Sequence, residues 1–351
     1  MITKLFLAIL GLGFFSSIFI KDLSVSRYEN RTLQTLPEFS IESLVSSKYT
    51  TEFDTYVTDQ FPLRPQWIQF KTSIEKNVLS KSCIKNVYLG ENDYLINRYT
   101  YQDISIDRIQ KNIAYLNQFS NQHNATILLI PTASEVLTTN LPLSHYHIHQ
   151  SDYLSGIDNR SQASNILYKH SEGQIYFKTD HHWTLLGAYY VYRELIDNPL
   201  PYQVTIASAD FLGSTYRKIN YAPTLDYIAT FETTNDFTVT YDLSTTTSSL
   251  YTESALTTLD QYTYYLDGNH AITTIENETI DSNESLLIVK DSFANSFATL
   301  IANHYSTTHM IDLRNYNGSV TKYIEEHEID HVLFLYNQIN FMQDTNLAKL
   351  L

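Results

Sequence analysis

The stretch from Leu286 to Tyr336 restricts the fold more than any other part of the chain. It reads LLIV (286–289), FANSFATLIANH (293–304), HMIDLR, SVTKYIEEHEI and HVLFLY in succession. Phe293, Phe297, Leu300, Ile301 and His304 fall on one helical face of the second segment. Strand, helix, strand, helix, strand at these lengths predicts a parallel sheet with right-handed crossovers. Upstream, an Asp-capped helix is expected over 103–122, with Ile106, Ile109, Ile113, Leu116 and Phe119 aligned, followed by the short apolar strand ATILLIPT. GQIYFK (173–178) reads as a further strand, and Leu185, Tyr189, Tyr192 and Ile196 line the helix after it. Between about 200 and 283 the composition turns to Thr, Tyr, Asp and Ser, with alternation in DFTVTYDL and QYTYYLDG, which predicts an antiparallel β insertion.

Composition excludes several functions. Of 351 residues, 38 are acidic and 23 basic, a net charge of −15 that argues against a nucleic-acid partner. With 43% hydrophobic and 17% charged residues the chain is a folded protein. A lone cysteine, Cys83, rules out intrachain disulfides and cysteine-based metal sites. Only nine glycines occur, with no GxGxxG or GxxxxGK[ST] pattern, so no nucleotide cofactor is expected. Lys4 precedes an uncharged run from Leu5 to Ile20. As a helix that run is about 24 Å long, close to a membrane span and longer than an ordinary signal-peptide core. Residues 1–22 are therefore read as a signal anchor or signal peptide, which would put the rest on the extracytoplasmic side. A polar, largely helical segment is expected over 23–100, packing on an α/β domain over 101–351.

In a parallel sheet, ligands gather where strands end and helices begin. LLIV leads to KDSFANS, which places Ser292 in the turn entering a helix. GQIYFK leads to TDHHW, which places Asp180 and His182 two residues apart, and HVLFLY leads to Asn337. In an extended segment positions i and i+2 share a face. A serine hydroxyl needs an imidazole to take its proton, and the imidazole needs a carboxylate to fix its tautomer. Ser292, His182 and Asp180 supply those groups. Spacing alone also allows Ser292 and Asp180 to be simple helix caps.

The segments TDHHWT and VKDSFANSF resemble the DHHW protein family, which is related to the alginate O-acetyltransferase accessory proteins and, more distantly, to SGNH hydrolases. YENRTLQTLPEFS (28–40), DQFPLRPQWIQFKTSIE (59–75), VYLGENDYLI (87–96), IPTASEVL (130–137) and FLGSTYRK (211–218) also fit that family. The resemblance implies an SGNH-like, flavodoxin-like parallel sheet flanked by helices. It implies Ser292 as nucleophile, His182 as base and Asp180 as its orienting carboxylate, with Gly318 and Asn337 as oxyanion donors by position. Lys290 stands where SGNH enzymes carry the glycine of G-D-S, which bears on the oxyanion geometry. His181 and Trp183 are read as structural. The activity implied is acetyl transfer to an exopolysaccharide or cell-wall polysaccharide, or acetylester hydrolysis, with a membrane-bound O-acyltransferase as acetyl donor. The competing reading is a catalytically silent, membrane-tethered domain that binds a glycan or scaffolds an export complex.

One motif stands apart. SHYHIHQ puts His145, His147 and His149 at alternate positions, on one face if extended. With Asp180 and His181 they could make a mononuclear metal site. No HExxH or spaced carboxylate set accompanies them, so they are read as surface histidines and no metal is expected.

Overall fold

A computed structural model of the chain describes residues 22–26, 31–158, 161 and 163–351. The Leu5–Ile20 run, and with it the expected anchor, lies outside them. Among the described residues no helix is long and apolar enough to cross a membrane. The chain divides into two compact units. The first comprises residues up to Lys85 with Arg217–Tyr221, and the second Asn86–Tyr216 with Ala222–Leu351.

The first unit is helical, with helices at Ile41–Val45, Lys48–Asp59 and Arg64–Asn77. Pro65 lies in the first turn of the last helix, where its missing N–H is no loss. Residues 217–221 attach there through Thr72 Oγ1, which donates to the Ile219 carbonyl at 2.6 Å, and Asn220 Nδ2, which donates to Pro65 O at 2.6 Å.

The second unit is built on a seven-stranded mixed sheet. Its strands are β1 (Thr126–Ile130), β4 (Phe237–Tyr241), β5 (Thr245–Thr247), β6 (Ile272–Asn277), β7 (Ser285–Lys290), β8 (Thr307–Asp312) and β9 (His331–Asn337). A separate antiparallel ribbon pairs β2 (Val204–Phe211) with β3 (Asp226–Phe231). The sheet order is β5-β4-β6-β8-β7-β9-β1. β8, β7, β9 and β1 run parallel, as the apolar runs predict, whereas β6, β4 and β5 add antiparallel strands at one edge. The all-parallel expectation is therefore corrected. Part of the insertion does not stand apart: β6 pairs with the outer edge of β8, β4 with β6 and β5 with β4, so the three continue the main sheet.

Five helices matter for the site: α1 (Ile106–His123), α2 (Leu185–Leu195), α3 (Ala294–Ile301), α4 (Val320–Glu326) and α5 (Gln338–Gln343). α1 is capped by Ser105, whose hydroxyl accepts the Arg108 N–H. Asp103 caps the preceding turn instead, accepting the Thr100 N–H at 2.7 Å. One core joins Leu116 and Phe119 of α1, Leu287 and Val289 of β7, and Phe334 of β9, all of them buried. β7 is buried along its whole length, with β8 on one side and β9 on the other. Its C-terminal end is thus fixed by neighbours on both sides, and Ser292 follows two residues later.

GQIYFK is not a strand of this sheet. Tyr176 and Trp183 form an isolated bridge, Thr184 N–H donates to Ile175 O at 2.9 Å, and Phe177 N–H donates to His182 O at 3.2 Å. The chain closes on itself, and Lys178–His181 form the tip of a tight loop. Gly187 makes the closure possible: a Cβ there would come within 2.3 Å of the Ile175 carbonyl oxygen. QYTYYLDG also departs from expectation, because Gln261–Tyr264 is a 3-10 turn rather than a strand.

Candidate active site

Two loops from distant parts of the sequence meet at the C-terminal end of β7. His182 Nε2 lies 2.8 Å from Ser292 Oγ, and His182 Nδ1 lies 2.5 Å from Asp180 Oδ1. All three side chains are buried. The segment is not extended, as the i, i+2 reasoning supposed. Asp180 Oδ1 also accepts the His182 backbone N–H at 2.9 Å, which makes an Asx turn. Carboxylate and imidazole are brought together by that local bond.

Asp180 is held from the other side by Ser214 N–H, which donates to Oδ2 at 2.7 Å. Gly213 permits this approach: a Cβ there would come within 2.2 Å of Asp180 Cβ and 2.5 Å of Oδ2. Burial by itself raises the Asp180 carboxyl. The imidazoles of His182 and His181, with hydrogen bonds from His182 and Ser214, outweigh it and hold the group well below the usual carboxylate range. The Asp180 carboxylate is therefore charged whenever the fold is intact near neutral pH.

The loop tip is clamped by a second carboxylate that local sequence patterns did not reveal. Asp226, at the start of β3, accepts from Thr179 N–H at 2.6 Å and Thr179 Oγ1 at 2.7 Å through Oδ2. Its Oδ1 accepts from Lys178 N–H and Gln174 Nε2, both at 2.9 Å. Burial raises the Asp226 carboxyl, and the negative charge of Asp180 adds to the rise. Tyr262 supplies the remaining wall. Its ring stacks on His182 with centroids 3.8 Å apart and planes at 5°, and its hydroxyl donates to Ser292 O at 3.1 Å.

On the Ser292 side, Asp291 shapes the elbow. Its Oδ1 accepts Phe293 N–H at 2.9 Å, while Oδ2 accepts Asn337 N–H at 2.8 Å and Asn340 Nδ2 at 2.7 Å. Trp183 ties the two loops together, its indole N–H donating to Phe293 O at 2.9 Å. His181 packs beside His182, with Nδ1 2.6 Å from Ser214 Oγ. Lys290 is fully buried and donates to Asn269 Oδ1 and Asn295 Oδ1, both at 2.7 Å. Burial lowers its ammonium to about 8, Arg314 adds to the fall and Asp312 opposes it.

The two expected oxyanion donors are placed differently. Asn337 Nδ2 donates to Ile130 O at 3.1 Å, and its Oδ1 caps α5 by accepting Ile339 N–H at 3.1 Å. Gly318 is exposed in the turn after β8, packed against the Tyr316 ring. Neither side of that pair is drawn to Ser292 by a bond between described residues. The Ser292 backbone N–H has no acceptor among them, which leaves it available to an incoming oxygen.

This is an α/β protein with a central mixed sheet and a buried serine–histidine–aspartate line at the end of a parallel strand. Residues 153–311 match the DHHW protein family, in accord with the TDHHWT and VKDSFANSF segments. A DHHW family protein from Eubacterium siraeum shares the fold at 20% identity and a TM-score of 0.61, over 76% of this chain and 95% of that one. PatB1 of Bacillus cereus is similar at 22% identity and a TM-score of 0.60, over 72% and 97%. A second PatB1 structure, carrying a sulfonyl adduct, aligns at 21% identity with a TM-score of 0.59, over 74% and 96%. No curated protein matches the sequence.

Proposed function

We propose that the second unit is an SGNH-like acyl-transfer enzyme, acting outside the cytoplasm to move acetyl groups onto a surface or cell-wall polysaccharide. The observation that carries this reading is the single imidazole that reaches Asp180 with one ring nitrogen and Ser292 with the other. Such a line does what acyl transfer requires. His182 Nε2 takes the Ser292 proton as Oγ attacks the acetyl carbonyl, and Asp180 stabilises the imidazolium that forms. Collapse of the tetrahedral adduct expels the donor's oxygen or sulfur, which leaves with the proton from Nε2, and an acetyl-serine remains. The acceptor hydroxyl then gives its proton to Nε2 and attacks the same carbonyl, which releases the acetylated sugar and the free serine. Water in place of the sugar would give an esterase.

The Ser292 N–H is assigned to the oxyanion. Asn337 contributes through Asp291, by holding the elbow, and Gly318 is assigned to the site by chain position alone. PatB1 carries a sulfonyl adduct, and sulfonyl reagents trap acylable hydroxyls of this kind. The resemblance to acetylation proteins supports a membrane-bound O-acyltransferase as the donor and the Leu5–Ile20 run as the tether. The steps above need no cofactor.

Ser292→Ala tests the proposal. Acetyl transfer to polysaccharide should fall on the order of a thousandfold or more, with an unchanged circular dichroism spectrum. Equal glycan acetylation by wild type and mutant would overturn it and favour a scaffold that binds glycan without chemistry.

A further inference from the structure

A second imidazole–carboxylate cluster in the same unit is made of none of the residues used above. Glu135 sits in a short helical turn, Ala133–Val136, soon after β1, and is only 3% exposed. His147 and His149 face it from the SHYHIHQ segment. The notion of surface histidines fails for His147, whose side chain is 12% exposed, and holds for His149 at 67%. Alternation explains the facing: Ile148, between them, is buried on the opposite side. The segment is held by Tyr88, whose hydroxyl donates to Tyr146 O at 2.7 Å and accepts Tyr146 N–H at 2.8 Å.

The geometry inside the cluster is not that of a hydrogen-bonded pair. His147 Nε2 lies 3.2 Å from Glu135 Oε2, yet this buried nitrogen has no hydrogen-bond partner, because the ring N–H direction misses the oxygen. His149 Nδ1 lies 3.9 Å from Glu135 Oε1. The ligand atoms of all three residues fall within 4.8 Å of one another. Bonds of about 2.0–2.1 Å to a tetrahedral zinc ion put neighbouring ligand atoms roughly 3.3 Å apart. The pair fixed by burial already has that separation, and the exposed His149 can swing to complete it. The carboxylate also has the outer partners that metal ligands keep. Gln150 N–H donates to Oε2 at 3.1 Å, and Tyr168 OH lies 3.4 Å from Oε1.

We propose that Glu135, His147 and His149 bind a divalent transition-metal ion, zinc foremost, with one position open to water or a small anion. Two neutral imidazoles and one carboxylate suit such an ion, whereas a calcium or magnesium site would need more oxygen donors. The ion would pin the 145–150 segment to the turn after β1.

The test uses the full chain, stripped with chelator and titrated with zinc chloride alone, then with cobalt(II) as a spectroscopic probe. One equivalent of zinc should bind, and cobalt should give the visible bands of a tetrahedral site. His149→Ala removes an exposed side chain, so folding should survive. Losing a partner of a ligand weakens binding about 10–100-fold, so loss of this ligand should weaken zinc binding by at least that. His147→Ala, with its fold checked by circular dichroism, should abolish the cobalt bands. No zinc uptake by wild type, or equal uptake by wild type and His149→Ala, would overturn the assignment; the second result would place the ion elsewhere.

Discussion

The two imidazole–carboxylate clusters, Asp180 with His182 and Glu135 with His147 and His149, pair the same kinds of group and arrive at opposite geometries. At Asp180–His182 each nitrogen of the ring has a partner in line, at 2.5 and 2.8 Å. At Glu135–His147–His149 the ring nitrogen closest to the carboxylate misses it, and three donor atoms converge on common space. The difference comes from the backbone. Asp180 and His182 belong to one Asx turn, so carboxylate and imidazole are neighbours on a short arc. Glu135 comes from another element and meets two rings presented side by side by an extended segment. A chain of bonds can move a proton, whereas a ring of lone pairs can hold a cation.

Breaking the first geometry at its carboxylate gives the largest effect. Asp180→Asn keeps the volume and the turn-forming oxygen but loses the charge that fixes the His182 tautomer. Acetyl transfer should drop on the order of a thousandfold or more, measured as initial rate on a soluble acetyl ester. An unchanged rate would reduce the cluster to a loop cap. A milder break moves the carboxylate without altering it. Gly213→Ala sets a methyl group against Asp180 Cβ, and strain of this kind costs about 1–3 kcal/mol. The rate should fall about 10–100-fold through misplacement, while a thermal melt still shows a cooperative transition.

The smallest effect sharpens what the serine elbow stands on. Lys290 has a folded-state value of about 8, below its ordinary 10.5. The unfolded chain therefore binds more protons than the folded one between those pH values, and stability rises with pH across that window. The slope reaches at most about 1.4 kcal/mol per pH unit. Lys290→Met should remove this rise, as read from urea midpoints of the two proteins between about pH 8 and 10.5, the window bounded by the two values. Parallel midpoint curves would show that the ammonium is not desolvated in the fold.

Much of the parallel sheet was legible in the sequence because its strands are buried on both faces and read as unbroken apolar runs. LLIV, HMID and HVLFLY fall within β7, β8 and β9, and the helices between them follow. Ser292 was legible for the same reason, as the first hydroxyl beyond an apolar run. GQIYFK misled because Ile175, Tyr176 and Phe177 are buried by tertiary packing in a closed loop, and an apolar run does not distinguish that from a strand. The alternation in FTVTY announced an antiparallel strand, but its partner across the sheet edge leaves no local trace. Asp226 and Tyr262 were silent too. Each acts on a residue 47 or 30 positions away, and nothing in their immediate neighbours marks them. FLGSTYRK held the one available hint, a glycine followed by a serine in a chain with few glycines.

His182 and Ser292 stand 110 positions apart in the chain. During synthesis Asp180 and His182 emerge long before Ser292, and β8 and β9, the strands that flank the Ser292 strand, emerge only after it. A chain that stops before β9 carries the hydroxyl, the imidazole and the carboxylate but lacks the strand that flanks β7 on one side.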